Sequence, residues 1–129
     1  MTYRKSIEIE GVAHGNTPIP LGSKLGNMVF SSAIAGNNPA TGLIPEDPAE
    51  QVKYVFQNVR SFMEVAGGSP EHIGKVTVLV QDESIRDKVN EEWIKMFPDP
   101  ESRPARHSKV TQLRQGAVVQ LEIIAVLPE

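Results

Sequence analysis

The segment from Asp47 to Gly68 constrains the fold more than any other part of the sequence, because it carries both helix-end signals and a complete apolar stripe. Asp47 is a good N-cap, Pro48 suits the first helical position, and Glu50 completes a capping box. Gly67 and Gly68 can end the helix in the left-handed conformation at little cost. Between these signals the apolar residues recur at helical spacing, and they are Val52, Val55, Phe56, Val59, Phe62, Met63 and Ala66. A long amphipathic helix is therefore predicted, which must bury one face against a second layer.

Alternating or apolar runs on both sides of this helix predict β-strands. They cover residues 3–9, 27–34, 75–81, 105–113 and 117–127, the first at a sheet edge and the last two joined near residues 114–116. In the second strand one face is predicted to carry Met28, Phe30, Ser32 and Ile34, and the other Val29, Ser31 and Ala33. Residues 11–26 and 36–42 contain many turn-forming residues and are predicted to be loops.

A second helix is predicted to start at Ser84 with Asp87 and to stop at Pro98. Its apolar stripe comprises Ile85, Val89, Trp93, and Met96 or Phe97. The length of 129 residues suits one domain of common size. The order strands, helix, strand, helix, strands predicts a single α+β domain over residues 1–129, with both helices on one face of the sheet.

Composition argues against several classes of function. With 13 basic and 16 acidic residues, the chain offers no electrostatic footprint for nucleic acid or an anionic membrane. It has no cysteine, and its three histidines show no metal-binding spacing, so neither a metal nor a cofactor is expected. No apolar run approaches the roughly 20 residues of a membrane span. Residues 1–15 lack the apolar core of a secretory signal, so a soluble cytoplasmic protein is expected. Ser31 and Ser32 lack a GxSxG elbow and are predicted to be hydrogen-bonding strand serines.

Arg106 is the residue whose setting most favours ligand binding. Pro98, Pro100 and Pro104 make a stiff approach to the next predicted strand, and Arg106 falls at that strand's start. A guanidinium is permanently charged and presents a planar fork of donors that matches a carboxylate bidentately. The alternative is an ordinary surface ion pair, which is worth about 0–1 kcal/mol. The residues themselves leave both interpretations open.

Several motifs follow one another in a fixed order from about residue 17 to the end. They are LGNMVFSS at 25–32, NPATG at 38–42, Gln51 and Asn58 on the first helix, AGG at 66–68, RPAR at 103–106 and LEIIA at 121–125. In these motifs the chain resembles the Rid/YjgF family, also called endoribonuclease L-PSP-like proteins. The resemblance implies a chorismate-mutase-like fold, a mixed β-sheet packed on two helices. It also implies a homotrimer with binding sites in the clefts between subunits.

The activity implied by this resemblance is hydrolysis of reactive 2-imino or enamine acids to 2-oxo acids and ammonia. Arg106 matches the arginine that grips the substrate carboxylate, Ser32 a serine that lines the site, and Asn90 an asparagine on the second helix. Other positions depart from the family pattern. An expected tyrosine is replaced by Ile19, a glycine after the site serine by Ala33, and a frequent cysteine by Ser108.

The position that would activate water also departs from the pattern. Gln120 aligns with the glutamate that positions the attacking water in the family, and Glu122 is the alternative, two residues on along the same strand face. A glutamine can orient water but cannot accept a proton, and loss of general-base help typically costs ~10²–10⁴-fold in rate.

Functions of two different classes therefore remain open. One is a deaminase-type hydrolase of small 2-imino or enamine acids, or of a related amino-substituted carboxylate, acting in trimer clefts. The other is a non-catalytic trimeric module that binds a small 2-oxo or amino acid, and Gln120 favours it. A ribonuclease is disfavoured, because the chain has no basic patch and no histidine pair suited to RNA cleavage.

Overall fold

Two α-helices and seven β-strands make up the computed structural model, which describes residues 3–15 and 17–128. The helices are α1 (Pro48–Ala66) and α2 (Arg86–Met96). The strands are β1 (Arg4–Ile7), β2 (Gly22–Leu25), β3 (Met28–Ser31), β4 (Ile34–Ala35), β5 (Ile73–Val80), β6 (Ala105–Val110) and β7 (Val119–Val126). Neither α-helix of the described residues combines the length with the apolar composition that a membrane-spanning segment needs.

The strands form one mixed sheet in the order β1-β2-β3-β7-β5-β6, and β4 pairs with β7 beside β3. Every pairing is antiparallel except that of β5 with β6, which α2 joins as a crossover connection. The predicted α+β class, with a mixed sheet packed on two helices, is confirmed, and β1 lies at the predicted edge.

Helix α1 forms where its end signals predict. The Asp47 carboxylate accepts a hydrogen bond from the amide of Ala49 at 3.0 Å, one residue earlier than the predicted capping box requires. At the other end Gly67 adopts φ 96°, and the Gly68 amide donates to the Met63 carbonyl at 2.8 Å. Every residue of the predicted α1 stripe is at most 4% exposed. Burial of this face against the sheet stabilises the helix more than its own propensity does.

The core lies between the helices and one face of the sheet. Alternate residues of β5 and β7 point into it, namely Val76, Val78, Val80, Leu121, Ile123 and Ala125. From α2 and its flanks come Ile85, Val89, Trp93 and Phe97, as the predicted stripe requires. A 3₁₀ turn at Glu83–Ile85 precedes α2, and Asp82 rather than Ser84 caps that turn. The helix therefore begins at Arg86, two residues later than predicted.

The prediction of one loop over residues 11–26 is wrong, because strand β2 lies inside it. Its residues pair with both β1 and β3 despite their weak strand preference. Gly22 is required there by packing: a Cβ at this position would lie 2.3 Å from the Phe62 ring. Glycine has a weak strand preference, but here its lack of a side chain allows α1 to pack closely on β2.

The prediction of one continuous strand over residues 27–34, with its two alternating faces, is also wrong. Phe30 pairs with Ile124, whereas Ile34 pairs with Leu121, so this segment uses one residue more than β7 does over the same stretch. Such an extra residue is a β-bulge, and it reverses the alternation of side chains. Val29 and Ile34 are consequently both buried, although a regular strand would place them on opposite faces.

The last two strands are shorter than predicted. β6 ends at Val110 and β7 begins at Val119, so the connection covers residues 111–118. β5 lies between β6 and β7 in the sheet, which separates the side chains that these two strands carry.

Candidate functional site

Arg106 lies on the helix side of the edge strand β6. It pairs with Val76, whose side chain is buried in the core, and neighbouring residues of paired strands point to the same face. Its Nη1 donates to Asn90 Oδ1 at 2.8 Å and its Nε donates to Ser108 Oγ at 3.1 Å. The guanidinium carbon lies 5.1 Å from the centre of the Trp93 ring. We call Arg106, Asn90, Ser108 and Trp93 the Arg106 cluster. The last three of these residues hold the guanidinium in one orientation.

The approach to β6 is stiffened by hydrogen bonds as well as by prolines. Asp99 accepts from the amide of Glu101 at 2.9 Å, and its carbonyl accepts from the amide of Ser102 at 3.0 Å. The Arg103 Nε donates to the Phe97 carbonyl at 2.9 Å, which ties this segment to the end of α2. The strand therefore starts from a fixed position relative to Asn90 and Trp93.

The charge of Arg106 is not neutralised within the described part of the chain. Within residues 3–15 and 17–128, carboxylates lie within 4 Å of the nitrogens of His72, Arg86 and Lys95, and Arg106 has no such neighbour. Burial, and then the nearby cation Arg86, lower the pKa of Arg106 from its ordinary value, yet an arginine keeps its proton in proteins. The two hydrogen bonds of the guanidinium engage Nε and Nη1 and do not involve Nη2. Nη2 and the charge of Arg106 could therefore engage a carboxylate.

A second group of predicted residues lies around a separate cavity of about 700 Å³, which we call the Gln120 cavity. Gln120 and Ala33 line it, together with residues that sequence reasoning did not select, above all His14 and Arg114. His14 Nε2 lies 2.9 Å from the Ala33 carbonyl oxygen and is the donor of that hydrogen bond. The loop before β2 is thereby tied to the β-bulge.

Two buried amides fix the walls of the Gln120 cavity. Gln51 is 1% exposed and donates from Nε2 to the carbonyls of Pro45 and Gly116, at 2.8 and 2.9 Å. Its Oε1 accepts from the amide of Val118 at 2.9 Å. Asn58, also 1% exposed, donates to the carbonyls of Ala35, the last residue of β4, and of Asn37, at 3.0 and 2.9 Å. A signal for both was present in the sequence, because they occupy the apolar face of α1 seven residues apart, where an unpartnered polar group is costly.

The remaining predicted residues lie near the β-bulge. Ser32 Oγ donates to the Pro20 carbonyl at 2.9 Å, and Ser31 Oγ accepts from the amide of Ile123 at 2.8 Å. Both serines are therefore hydrogen-bonding residues, as predicted. Ile19 is 46% exposed and lines a shallow hollow that adjoins the Gln120 cavity.

Glu122 shares the strand face of Gln120 but not its cavity. The two residues alternate with buried ones along β7, so both point away from the helices. Glu122 pairs with Thr77 and lines a hollow of about 250 Å³, whereas Gln120 pairs with Leu79 on one side and Ala35 on the other.

The Arg106 cluster and the Gln120 cavity lie on opposite sides of the sheet. Arg106 shares the face of the buried Val76, and Val76 pairs with the equally buried Ile123. Gln120 is three residues from Ile123 along β7, an odd separation that reverses the face. One copy of the chain therefore does not bring Arg106 and Gln120 into one pocket. The described residues also contain no group of three or more acidic or histidine side chains that could hold a metal.

The fold and this arrangement define a small α+β protein with an oriented arginine on one face of its sheet and a polar cavity on the other. The family model for endoribonuclease L-PSP matches residues 21–127. A 2-iminobutanoate/2-iminopropanoate deaminase of Escherichia coli is 33% identical over 124 residues, which cover 95% of this chain and 97% of that protein. The chain belongs to the endoribonuclease L-PSP family, in which Rid and YjgF proteins are grouped.

Solved structures agree with this assignment. A RidA protein from an Antarctic Psychrobacter bacterium matches with a TM-score of 0.87 and 28% identity, over 95% of this chain and 99% of that one. Escherichia coli TdcF with bound serine matches with a TM-score of 0.86 and 30% identity, over 96% of this chain and 99% of that one. The mixed sheet packed on two helices is thus the architecture of known family members.

Proposed function

We propose that this protein is a hydrolytic deaminase of small 2-imino or enamine carboxylic acids, and that Arg106 clamps the substrate carboxylate. The observation that carries the proposal is the Arg106 cluster, a cation oriented by Asn90 and Ser108 over Trp93 with no acidic partner among the described residues. The deaminase at 33% identity and the TdcF structure with bound serine support the same ligand class.

In the proposed reaction, water adds to the imine carbon and the resulting carbinolamine expels ammonia, which leaves the 2-oxo acid. Nη2 and the second Nη1 hydrogen of Arg106 hold the carboxylate bidentately and so fix the imine carbon. We assign Gln120 to orient the water through its amide oxygen, with Glu122 as the alternative. Ser32, Ala33 and Ile19 are assigned to the wall around the imine because of their positions at the bulge and beside the Gln120 cavity.

We further propose that the site is completed between subunits of a homotrimer. Since Arg106 and Gln120 lie on opposite sides of one sheet, a neighbouring copy must supply one of them. The sheet face away from the helices carries exposed apolar side chains, among them Met28, Ile124 and Val126, at 38%, 40% and 49% exposure. Covering such a patch favours association. Sedimentation equilibrium should give three times the chain mass of 14.1 kDa, and a monomer would refute the shared site.

The second candidate, a non-catalytic binding module, is favoured by one observation. Gln120, the polar residue of its strand that lines the cavity, cannot act as a general base. This candidate uses the same Arg106 clamp, so affinity for a carboxylate does not distinguish the two functions. A measured rate of imine hydrolysis does distinguish them.

Turnover is tested by single-turnover hydrolysis of freshly generated 2-iminobutanoate, corrected for the spontaneous reaction. Arg106→Ala should lose about 1.5–3 kcal/mol of substrate binding, the scale of a charge-assisted hydrogen bond, and Arg106→Lys should not restore it. Arg60→Lys, on the exposed side of α1, is the matched control and should behave as the unaltered protein.

The same assay identifies the residue that handles water. Gln120→Glu should raise kcat if Gln120 holds the water, and it should raise KM if the new carboxylate repels the substrate. Loss of activity in Glu122→Gln, without a change in Gln120→Glu, would assign the role to Glu122. If the unaltered protein does not exceed the spontaneous rate, the binding module is the better description for this class of substrate.

A further inference from the structure

The Gln120 cavity has an unusual charge composition. Its lining contains one arginine, Arg114, one histidine, His14, and three side-chain amides, those of Asn37, Gln115 and Gln120. No aspartate or glutamate is among the lining residues, all of which lie in the described part of the chain, although the whole sequence is acidic. The Nε2 donor of His14 is already used on the Ala33 carbonyl, so the donors available to a ligand are the Arg114 guanidinium and the side-chain amides. Hydrogen-bond donors and positive charge without a competing carboxylate are what an anionic group requires of a binding site.

The segment that carries Arg114 is held in place from both sides. The Leu113 amide donates to the Gln81 side chain at 2.8 Å, and the Arg114 carbonyl accepts from the Ala117 amide at 3.1 Å. Gln115 adopts φ 60°, a left-handed conformation that non-glycine residues adopt infrequently.

The far end of this loop is anchored too, by the hydrogen bonds of buried Gln51 to Gly116 and Val118. Strained backbone that its surroundings fix in this way is often found at binding sites. The loop therefore presents Arg114 to the cavity from a defined backbone position.

From this lining we infer that the Gln120 cavity is a second carboxylate subsite, in which Arg114 is the charged partner. The inference rests on the proposed function, because Arg106 of a neighbouring copy would take the first carboxylate. It narrows the substrate to the dicarboxylic imino or enamino acids. A neutral Gln120 is consistent with this class, since an acidic side chain there would repel a second carboxylate. The cavity volume of about 700 Å³ lies within the usual range for small-molecule sites.

The test compares two stable product analogues by isothermal titration of the full chain. 2-Oxobutyrate carries one carboxylate and 2-oxoglutarate carries two. The unaltered protein should bind 2-oxoglutarate about 10- to 100-fold more tightly than 2-oxobutyrate, the scale of one added charge-assisted contact. Arg114→Gln should abolish most of that preference, and Arg114→Lys should retain part of it, because it keeps the charge and loses the fork.

Arg60→Gln is the control for loss of one positive charge from an exposed position, and it should keep the full preference. Absence of a preference in the unaltered protein, or an unchanged preference in a folded Arg114→Gln variant, would overturn the second subsite. Neither result bears on the proposed binding of the first carboxylate by Arg106. If Arg106→Gln weakens neither ligand, the proposed function itself fails, and the two failures are thereby distinguished.

Discussion

Replacing Gln51 by methionine tests how one buried amide supports both the fold and the Gln120 cavity. Methionine fills a similar volume, so the change removes hydrogen bonds without opening a large cavity. Gln51 makes three bonds, to the carbonyls of Pro45 and Gly116 and from the amide of Val118. At about 0.5–1.5 kcal/mol each, their loss sums to about 1.5–4.5 kcal/mol. Gly116 is exposed and its carbonyl can bind water instead, so we expect about 3 kcal/mol.

A loss of this size is a large part of the ~5–15 kcal/mol by which native domains are stable. With a urea m-value of about 1–3 kcal/mol/M, the unfolding midpoint should fall by about 1–3 M. Gln57→Met, on the exposed side of the same helix, is the matched control. Both variants are compared at equal chain concentration, since assembly affects apparent stability.

Hydrogen exchange gives a second readout, local to the loop. The Val118 amide should lose its protection in Gln51→Met, because its acceptor is removed. The reasoning is refuted if Gln51→Met and Gln57→Met unfold within about 0.5 kcal/mol of each other, the usual range for surface changes.

The remaining predictions concern a close packing contact and a pH-dependent cap. Gly36→Ala would place a Cβ 2.2 Å from the Gln51 carbonyl oxygen, so it should destabilise the protein by about 1–3 kcal/mol or more. The control is Gly74→Ala, whose Cβ would have its nearest contact at 3.8 Å. In thermal unfolding it should stay within about 1 kcal/mol of the unaltered protein. Equal melting temperatures for the two variants would contradict this. The Ser84 hydroxyl and then its backbone amide lower the pKa of Asp82. The stability that this carboxylate contributes is therefore present above its unfolded pKa and is lost as the pH falls through the lowered value. Asp82→Ala should therefore lower the urea midpoint more at pH 7 than at about pH 2, and an equal difference at both pH values would show that the cap does not depend on charge.

Helix α1 shows how much of this fold can be predicted from the sequence. Its start at Pro48, its end before Gly67 and its buried stripe all follow from signals within a few residues of one another. The strand over Ile73–Val80 and the apolar face of α2 are equally local patterns. The RPAR motif likewise predicts Arg106 at the start of a strand, and β6 begins there.

Strand β2 and the β-bulge could not be predicted in this way. Gly22 lies in a strand because Phe62 packs beneath it, and nothing near Gly22 in the sequence records that contact. The bulge between Phe30 and Ile34 depends on the register with β7, which is about 90 residues away along the chain.

What the sequence alone determined was the α+β class, the main helix and the identity of the candidate arginine, because each depends on residue type and short-range periodicity. Only the tertiary structure decided the relation between Arg106 and Gln120, since strand order and register set the face on which each side chain lies. The same holds for His14 and Arg114, which enter the Gln120 cavity through loops that no periodic pattern describes. Pairings between distant strands, rather than local preferences, place Arg106 and Gln120 on opposite sides of one sheet.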